Sequence, residues 1–291
     1  MFDTKRFNEI KLNPSRFRLL EQIPFSAEDC YPVILSERRG DEINLALIDF
    51  ETTGFTAGEN EVIEIGLIQV AYSPSLRMIT EITEAMSQFE CPKTAISAEI
   101  THVTGITNEM VDGHRIDDAH VERIVRSSNV LIAHNAQFDR AFFDLRFPEM
   151  TDCLWACSFK DINWREHGFE SAKLEYLLLK NGYFYSGHRA ATDCLAMVQL
   201  FSVVPNVLSE LLNNAKKTSY KVFAKGVGYN DREVVKKRGY RWDSKNRHWW
   251  TIVSESDYTA EKAFLDELCG PASSKNIFDI ICPSFRYKSN N

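Results

Sequence analysis

Asp49 and Glu51 stand two residues apart at the end of the apolar run Leu45-Ala46-Leu47-Ile48, so a strand there puts both carboxylates on one face. A run of wholly apolar residues is expected in a strand covered on both sides, and carboxylates that end such a strand lose hydration and repel each other. A hard divalent cation held by oxygen ligands is the plainest way to offset that cost. A second apolar run, Val130-Leu131-Ile132-Ala133, leads through His134 and Asn135 into a helix with Asp139 in its first turn. A third segment, Gly187-His188-Arg189-Ala190-Ala191-Thr192-Asp193, sets an imidazole in a Gly-preceded loop and a carboxylate about one turn into an apolar helix. Each has a bland reading when taken alone. Asp-x-Glu pairs occur on solvated edge strands, Asp139 can simply complement a helix N-terminus, and a lone histidine is more often a surface residue than a base. The three segments together are more specific than any one of them.

The elements that must position these groups follow from hydrophobic period. Residues 45–51 read as a strand, 53–60 as a Gly-containing turn, 62–71 as a β-branched strand and 78–89 as a third strand. Helical patterns fall at 108–110, 117–125, 137–146, 172–181 and 189–201, with a strand at 129–133 between them. Strands first and helices after them predict an α/β fold, a mixed sheet with helices on its faces. Residues 1–43 read as an N-terminal extension with a short helix at Phe17-Arg18-Leu19-Leu20, and 44–205 as the main domain. Pro205 and the polar run Asn213 to Thr218 mark a linker over 206–218, and 219–291 reads as a small α+β module.

The order strand-D-x-E, strand-H-N-x-x-F-D-helix and H-x-x-x-x-D-helix resembles the three motifs of the DEDDh branch of the DnaQ-like exonucleases. The match runs through Asp49-Phe50-Glu51-Thr52-Thr53-Gly54, Ile100-Thr101-His102-Val103-Thr104-Gly105-Ile106-Thr107 and His134 to Asp139, and ends on His188 and Asp193. It covers about residues 44 to 204. The resemblance implies a ribonuclease H-like fold with a mixed five-stranded sheet flanked by helices. It also implies 3′ to 5′ hydrolysis of terminal phosphodiester bonds, releasing nucleoside monophosphates with the help of two divalent cations, Mg²⁺ or Mn²⁺. Carried over by motif, Asp49 bridges the two metals, Glu51 and Asp193 bind the nucleophile-side ion, Asp139 serves the other, and His188 takes the proton from the attacking water. Thr52, Thr53, Gly54 and Phe55 follow the metal strand directly, where a turn can offer N–H groups and an aromatic face to the terminal nucleotide. Phe138 is a second candidate to stack on or wedge against bases, with ordinary packing as its rival reading. His102 and Asn135 match substrate-side positions. Trp155-Ala156-Cys157-Ser158 and Lys173-Leu174 read as scaffold.

DNA, as single strands or frayed 3′ ends, is the expected substrate. The alternatives are an exoribonuclease trimming short RNA and a proofreading or interaction subunit acting mainly through a polymerase or repair partner; a homodimer also stays open. A silent nucleic-acid binder fits less well, because all four acids and the histidine are present.

Composition sharpens the partner. In 291 residues, 44% hydrophobic and 26% charged, a disordered tail is excluded, and there is enough chain for one large core plus a smaller module. The formal charge of −7, taken as a net figure, argues against a polyanionic partner, but it averages unlike regions: residues 44–215 carry −12 and residues 216–251 carry +8. That basic stretch interleaves seven aromatics, Tyr220, Phe223, Tyr229, Tyr240, Trp242, Trp249 and Trp250, among eleven Lys or Arg. Asn230 and Glu233 suggest a capping box opening a helix that ends at Gly239, followed by a hairpin from Tyr240 to Trp250. Two readings stay open: aromatics that stack on single-stranded bases, or aromatics that form the core of a small module. The Arg-Gly-Tyr-Arg-Trp...Trp-Trp stretch, with a lead-in over residues 16 to 48, resembles the tail of a group of bacterial DnaQ-like proteins. Gln199-Leu200-Phe201 lies in an apolar helix and reads as core rather than as a clamp-binding peptide. The seven cysteines show no C-x-x-C pair, so neither a disulfide framework nor a zinc site is expected. No apolar run reaches the roughly 18 residues of a membrane span and residues 1–9 hold no signal-peptide core, so the chain is expected to be cytoplasmic, without a membrane partner.

Overall fold

The computed structural model describes residues 7–13, 15–270 and 277–288. Residues 1–6, part of the opening read for a signal peptide, and residues 271–276 and 289–291 of the expected C-terminal module lie outside them.

The chain begins with α1 (Phe7–Leu12), β1 (Glu21–Gln22) and β2 (Val33–Ile34). Phe17 to Leu20, expected as a helix, have no regular structure; four residues without a cap cannot repay the cost of helix nucleation. The three long strands β3 (Ile43–Thr52), β4 (Val62–Ser73) and β5 (Met78–Phe89) form an antiparallel meander. Short helices α2 (Ala98–Thr104), α3 (Asn108–Val111) and α4 (Asp118–Arg126) lead to β6 (Val130–Ala133), α5 (Ala136–Arg146) and β7 (Trp155–Cys157). Then follow α6 (Leu174–Lys180), β8 (Tyr183–Phe184), α7 (Ala190–Val203) and α8 (Val207–Ala215).

The main sheet has the order β2-β5-β4-β3-β6-β7, with β6 and β7 parallel to β3. It is the expected ribonuclease H-like mixed sheet, widened from five strands to six by β2, a two-residue edge strand too short to show a period in sequence. Strand alternation sorts the core into two layers. Leu45, Leu47, Ile68 and Val70 face α6, α7 and α8, and Ala46, Ile48, Phe50 and Leu67 face α4, α5 and Trp155. Because 45 and 47 lie on the α7 side, strand period carries Asp49 and Glu51 to that same side.

Residues 206–218, expected as a linker, instead hold α8, whose Val207, Leu208, Leu211 and Ala215 are buried in the main core. Asn213 is exposed, whereas half-buried Asn214 donates from Nδ2 to the Asp161 carbonyl at 2.8 Å. Among the described residues no single helix is long and apolar enough to cross a membrane; α7 and α8, apolar together, meet at 112° and are packed in the core.

Beyond α8 come β9 (Ser219–Ala224), α9 (Arg232–Lys237), β10 (Arg241–Asp243), β11 (His248–Ser254), α10 (Tyr258–Cys269) and β12 (Ile277–Ile281). They make an antiparallel sheet of order β10-β11-β9-β12. The expected hairpin forms, but α9 starts at Arg232 after a 3₁₀ turn over Tyr229–Asp231, so Asn230 does not cap it. The tryptophans divide between the two readings: Trp249 is 9% exposed in the small core with Val222, Val235, Tyr240 and Leu265, whereas Trp242 is 51% exposed.

After β12 the chain returns to the body. Buried Arg140 of α5 donates to the carbonyls of Thr151, Ser284 and Arg286, while Arg286 pairs with buried Asp161 and donates to the Asn214 carbonyl at 2.9 Å.

Candidate active site

Asp49 and Glu51 reach the site because β3 ends there, with a register shift against β4 just past Glu51. Asp193 arrives on the first turn of α7, and one backbone feature lets it come close. Gly66 of β4 is the cross-strand partner of Asp49, and a Cβ at Gly66 would lie 2.2 Å from the Ala190 carbonyl carbon and the Ala191 nitrogen. Only glycine admits the N-terminus of α7 against the sheet at this point. As a result, carboxylate oxygens of Asp49, Glu51 and Asp193 lie within 4.8 Å of one another.

Asp139 enters from the other side. The first turn of α5 buries its carboxylate, and the backbone N–H groups of Asp139 itself and of Phe50, between the two strand acids, favour its ionised form. Its Oδ1 is buried with no hydrogen-bond partner. α5 starts abruptly because Asn135 takes a left-handed conformation, φ 86°, which asparagine tolerates better than most residues.

Burial first, and then mutual repulsion, disfavours ionisation throughout the cluster. Asp49 is held well above the ordinary carboxylate range by burial and by Asp139, Asp193, Glu51 and Glu64. Burial with the Asp193 charge pushes Glu51 up to about 8, and burial pushes Asp139 up to about 8. Asp193 is also raised by burial, although Tyr185 Oη donates to its Oδ1 at 3.0 Å and the Arg189 N–H to its Oδ2 at 3.3 Å.

A fifth acid escaped the sequence reading. Glu64 lies directly across the ladder from Glu51, fully buried, where like charges oppose each other. Arg189 resolves the conflict, its Nε 3.1 Å and its Nη2 2.9 Å from the Glu64 carboxylate, with Ser87 and the Ala190 N–H as further donors. Arg189 is thereby committed to Glu64 rather than to the other four acids. The signal was available in part: Glu64 interrupts an otherwise apolar strand, but its partner is 125 residues away.

Two clefts open on the acids. One, of about 540 Å³, is lined by Asp49, His134, Asn135, Phe159, Lys173, Tyr185, His188 and Asp193. Lys173, read as scaffold, thus contributes a cation to it. His134 hydrogen-bonds Ser158 Oγ at 2.8 Å, and burial holds it down at about 4, so it is neutral at physiological pH. The other cleft is lined by Asp49, Glu51, Thr52, Gly54, Phe55, Ile100, Val103, Phe138 and His188. His188, at φ 65° and exposed just before α7, borders both. Phe55 is 88% exposed, while Phe138 lines the cleft and also packs on Phe142 at 5.0 Å. Thr53 braces the turn instead: its N–H donates to the Glu61 carbonyl and its Oγ1 accepts from the Glu61 N–H. His102 is exposed on α2, which faces the cleft with Glu99, Ile100, Val103 and Thr104.

The residues present fit a hard divalent cation. All donors are carboxylate oxygens, three converge within 4.8 Å, and a fourth acid keeps a buried oxygen unpartnered.

A ribonuclease H-like sheet with an all-carboxylate cluster at the end of its central strand defines a nuclease-class site. The model of the exonuclease family RNase_T matches residues 46–201, more than half of the chain, and the chain belongs to this family, in its DnaQ-like division. Members of the family depend on divalent metal. Among curated relatives, a PolC-type DNA polymerase III of Clostridium perfringens is 31% identical over 135 residues, covering 45% of this chain and 9% of that protein. The Thermotoga petrophila PolC-type enzyme is 25% identical over 268 residues, covering 90% of this chain and 17% of that protein. The chain therefore spans about a sixth or less of the length of these relatives. Among solved structures, Exonuclease X in complex with 5′ overhanging duplex DNA is 24% identical with a TM-score of 0.44, covering 58% of this chain and 98% of that one. Escherichia coli Exonuclease I with a dA16 oligonucleotide is 16% identical with a TM-score of 0.45, covering 62% of this chain and 48% of that one.

Proposed function

We propose that the chain is a metal-dependent 3′ to 5′ exonuclease of the DEDDh type that removes nucleoside monophosphates from single-stranded or frayed 3′ ends of DNA. The observation that carries this reading is the convergence of Asp49, Glu51 and Asp193, with Asp139 beside them and His188 at the mouth of both clefts. Asp49, Glu51 and Asp193 would hold one divalent cation, and Asp49 with Asp139 a second. Bound there, Mg²⁺ or Mn²⁺ would supply Lewis-acid stabilisation of the phosphate oxygens in an in-line displacement. His188 accepts the proton of the attacking water at an imidazole nitrogen, and its exposure leaves it free to pass that proton to solvent. Tyr185 fixes the orientation of Asp193 through its hydrogen bond. Phe55 and Phe138 give the terminal base two aromatic faces in the cleft beside Ile100 and Val103.

Asp49→Ala or Asp193→Ala is expected to abolish mononucleotide release from a labelled single strand in Mn²⁺; release at the parent rate would sink the assignment. His188→Asn is expected to lower the rate about 10²- to 10⁴-fold while Mn²⁺ binding persists. Side-by-side digestion of single-stranded DNA, duplex DNA with a 3′ mismatch and short RNA decides the substrate. A preference for the mismatched end would favour a second reading, proofreading beside a polymerase, which is supported by the PolC-type names of the relatives.

A further inference from the structure

Among the described residues, the helices of the C-terminal module pack on one face of its sheet. Val222, Ala224 and Trp249 point to that covered face, with Val235 of α9 and Leu265 of α10. The cross-strand pairs Arg241 with Trp250, Trp250 with Phe223, and Ile252 with Lys221 belong to the other face. There the Arg241 guanidinium lies 5.6 Å and the Lys221 ammonium 5.3 Å from the Trp250 ring centroid, and Phe223 meets His248 edge-on at 5.1 Å. Two acids share this face. Asp279 stands opposite Lys221, and Asp243 is occupied by the N–H groups of Lys245 and Asn246.

Where this face meets the body, a cleft of about 310 Å³ is lined by four cations, Lys160, Arg241, Arg286 and Lys288, and by Trp250. Its one acid, Asp161, is already paired with Arg286. The cleft and the acid site are lined by neighbouring residues of the same two segments. Phe159 lines the acid cleft and Lys160 this one, Asn135 lines the former and Gln137 the latter, and Lys160 Nζ donates to Gln137 Oε1 at 2.8 Å.

We propose that the half-buried rings of this helix-free face, where His248 and Ile281 are themselves buried, and the junction cleft form a platform for single-stranded polynucleotide, with bases stacked on Trp250 and Phe223 and phosphates held by Lys160, Arg241 and Lys221. The platform holds the strand upstream of the end processed at the acid cleft, and in that respect it rests on the nuclease reading. Charge complementarity selects this occupant: cations flanking aromatic rings on an open sheet are what a polyanion with stackable bases requires.

The test uses the full chain, EDTA and a fluorescein-labelled oligothymidylate of about 20 nucleotides, long enough to leave the acid cleft. Lys160→Glu with Arg241→Glu changes two exposed side chains and is expected to weaken binding at least about 30-fold and to flatten its salt dependence. Trp250→Ala is expected to weaken it about 5- to 100-fold. Quenching of tryptophan fluorescence in the parent by the same oligonucleotide is a reading that needs no variant. Parent affinity in the charge-reversed protein, or no quenching in the parent, overturns the platform. Because metal is withheld, failure of the nuclease reading is seen separately: a parent that binds the oligonucleotide but releases no mononucleotide in Mn²⁺ overturns that reading alone.

Discussion

At the scale of single residues the acid cluster is a liability that a bound cation would offset. Glu51 and Asp139 are pushed up to about 8, against an ordinary carboxylate range near 4, chiefly by burial. Between those values these two groups bind more protons in the folded chain than in the unfolded chain, so their contribution to stability falls as pH rises from about 4 to about 8, while His134, held down at about 4, contributes in the opposite sense up to about 6.5. Metal-free thermal melts between about pH 7 and about pH 8, above the range in which His134 titrates in either state, are expected to show a declining Tm; a rising curve there would contradict the assigned environment. Added Mn²⁺ is expected to raise Tm more at about pH 8 than at about pH 5, because protons compete for the same oxygens. Melts at two pH values with and without the ion read this directly. The residue types, and their order along the chain, were visible from sequence because each acid sits beside a recognisable local element.

At the scale of elements, the site depends on how closely α7 can approach β4. Gly66→Ala would place a methyl 2.2 Å from backbone atoms of Ala190 and Ala191, and backbone cannot swing aside as a side chain can. The expected cost is about 3 kcal/mol or more, measured by chemical denaturation. Displacing α7 by even about 1 Å also moves Asp193, so activity is expected to fall about 10²-fold in protein that remains folded. Nothing local to Gly66 announces this. Its sequence neighbours, Ile65 and Leu67, read as ordinary strand, and the constraint comes from a helix more than 120 residues later. The same distance hides Glu64 and Arg189, whose pairing removes a like-charge clash with Glu51 that strand alternation alone would have predicted. By contrast β3, β4, β5, α4, α5 and α7 lie within a few residues of where hydrophobic period puts them, since each is long enough to repeat its pattern. Strands of two or three residues such as β2 and β7 cannot show one.

At the scale of the whole molecule, the chain leaves the nuclease body after α8, builds the small sheet and comes back. Arg286 closes that loop on Asp161 and on the Asn214 carbonyl, and Arg140 is held by backbone carbonyls of the returning residues. Arg286→Met leaves the Asp161 carboxylate buried without its cation and is expected to cost about 3 to 5 kcal/mol, read as a lower midpoint in urea. A truncation after residue 215 would uncover Arg140 and Asp161 together, so a charge change on the sheet face is the cleaner test of what the module binds. The net charge of −7 conceals this arrangement: the acidic body holds the carboxylate cluster and the basic segment stands at the edge of the neighbouring cleft.

The sequence by itself determined which groups could react and on which strand end or helix turn each would sit, because side-chain period and turn chemistry act over a few residues. Only the tertiary structure decided that Arg189 pairs with Glu64, that Gly66 admits α7, that residues 207–215 are core rather than linker, and that the C-terminal residues return to the body. Those outcomes depend on pairs of residues separated by roughly 60 to 150 positions, whose meeting is set by the packing of whole layers and not by any local pattern.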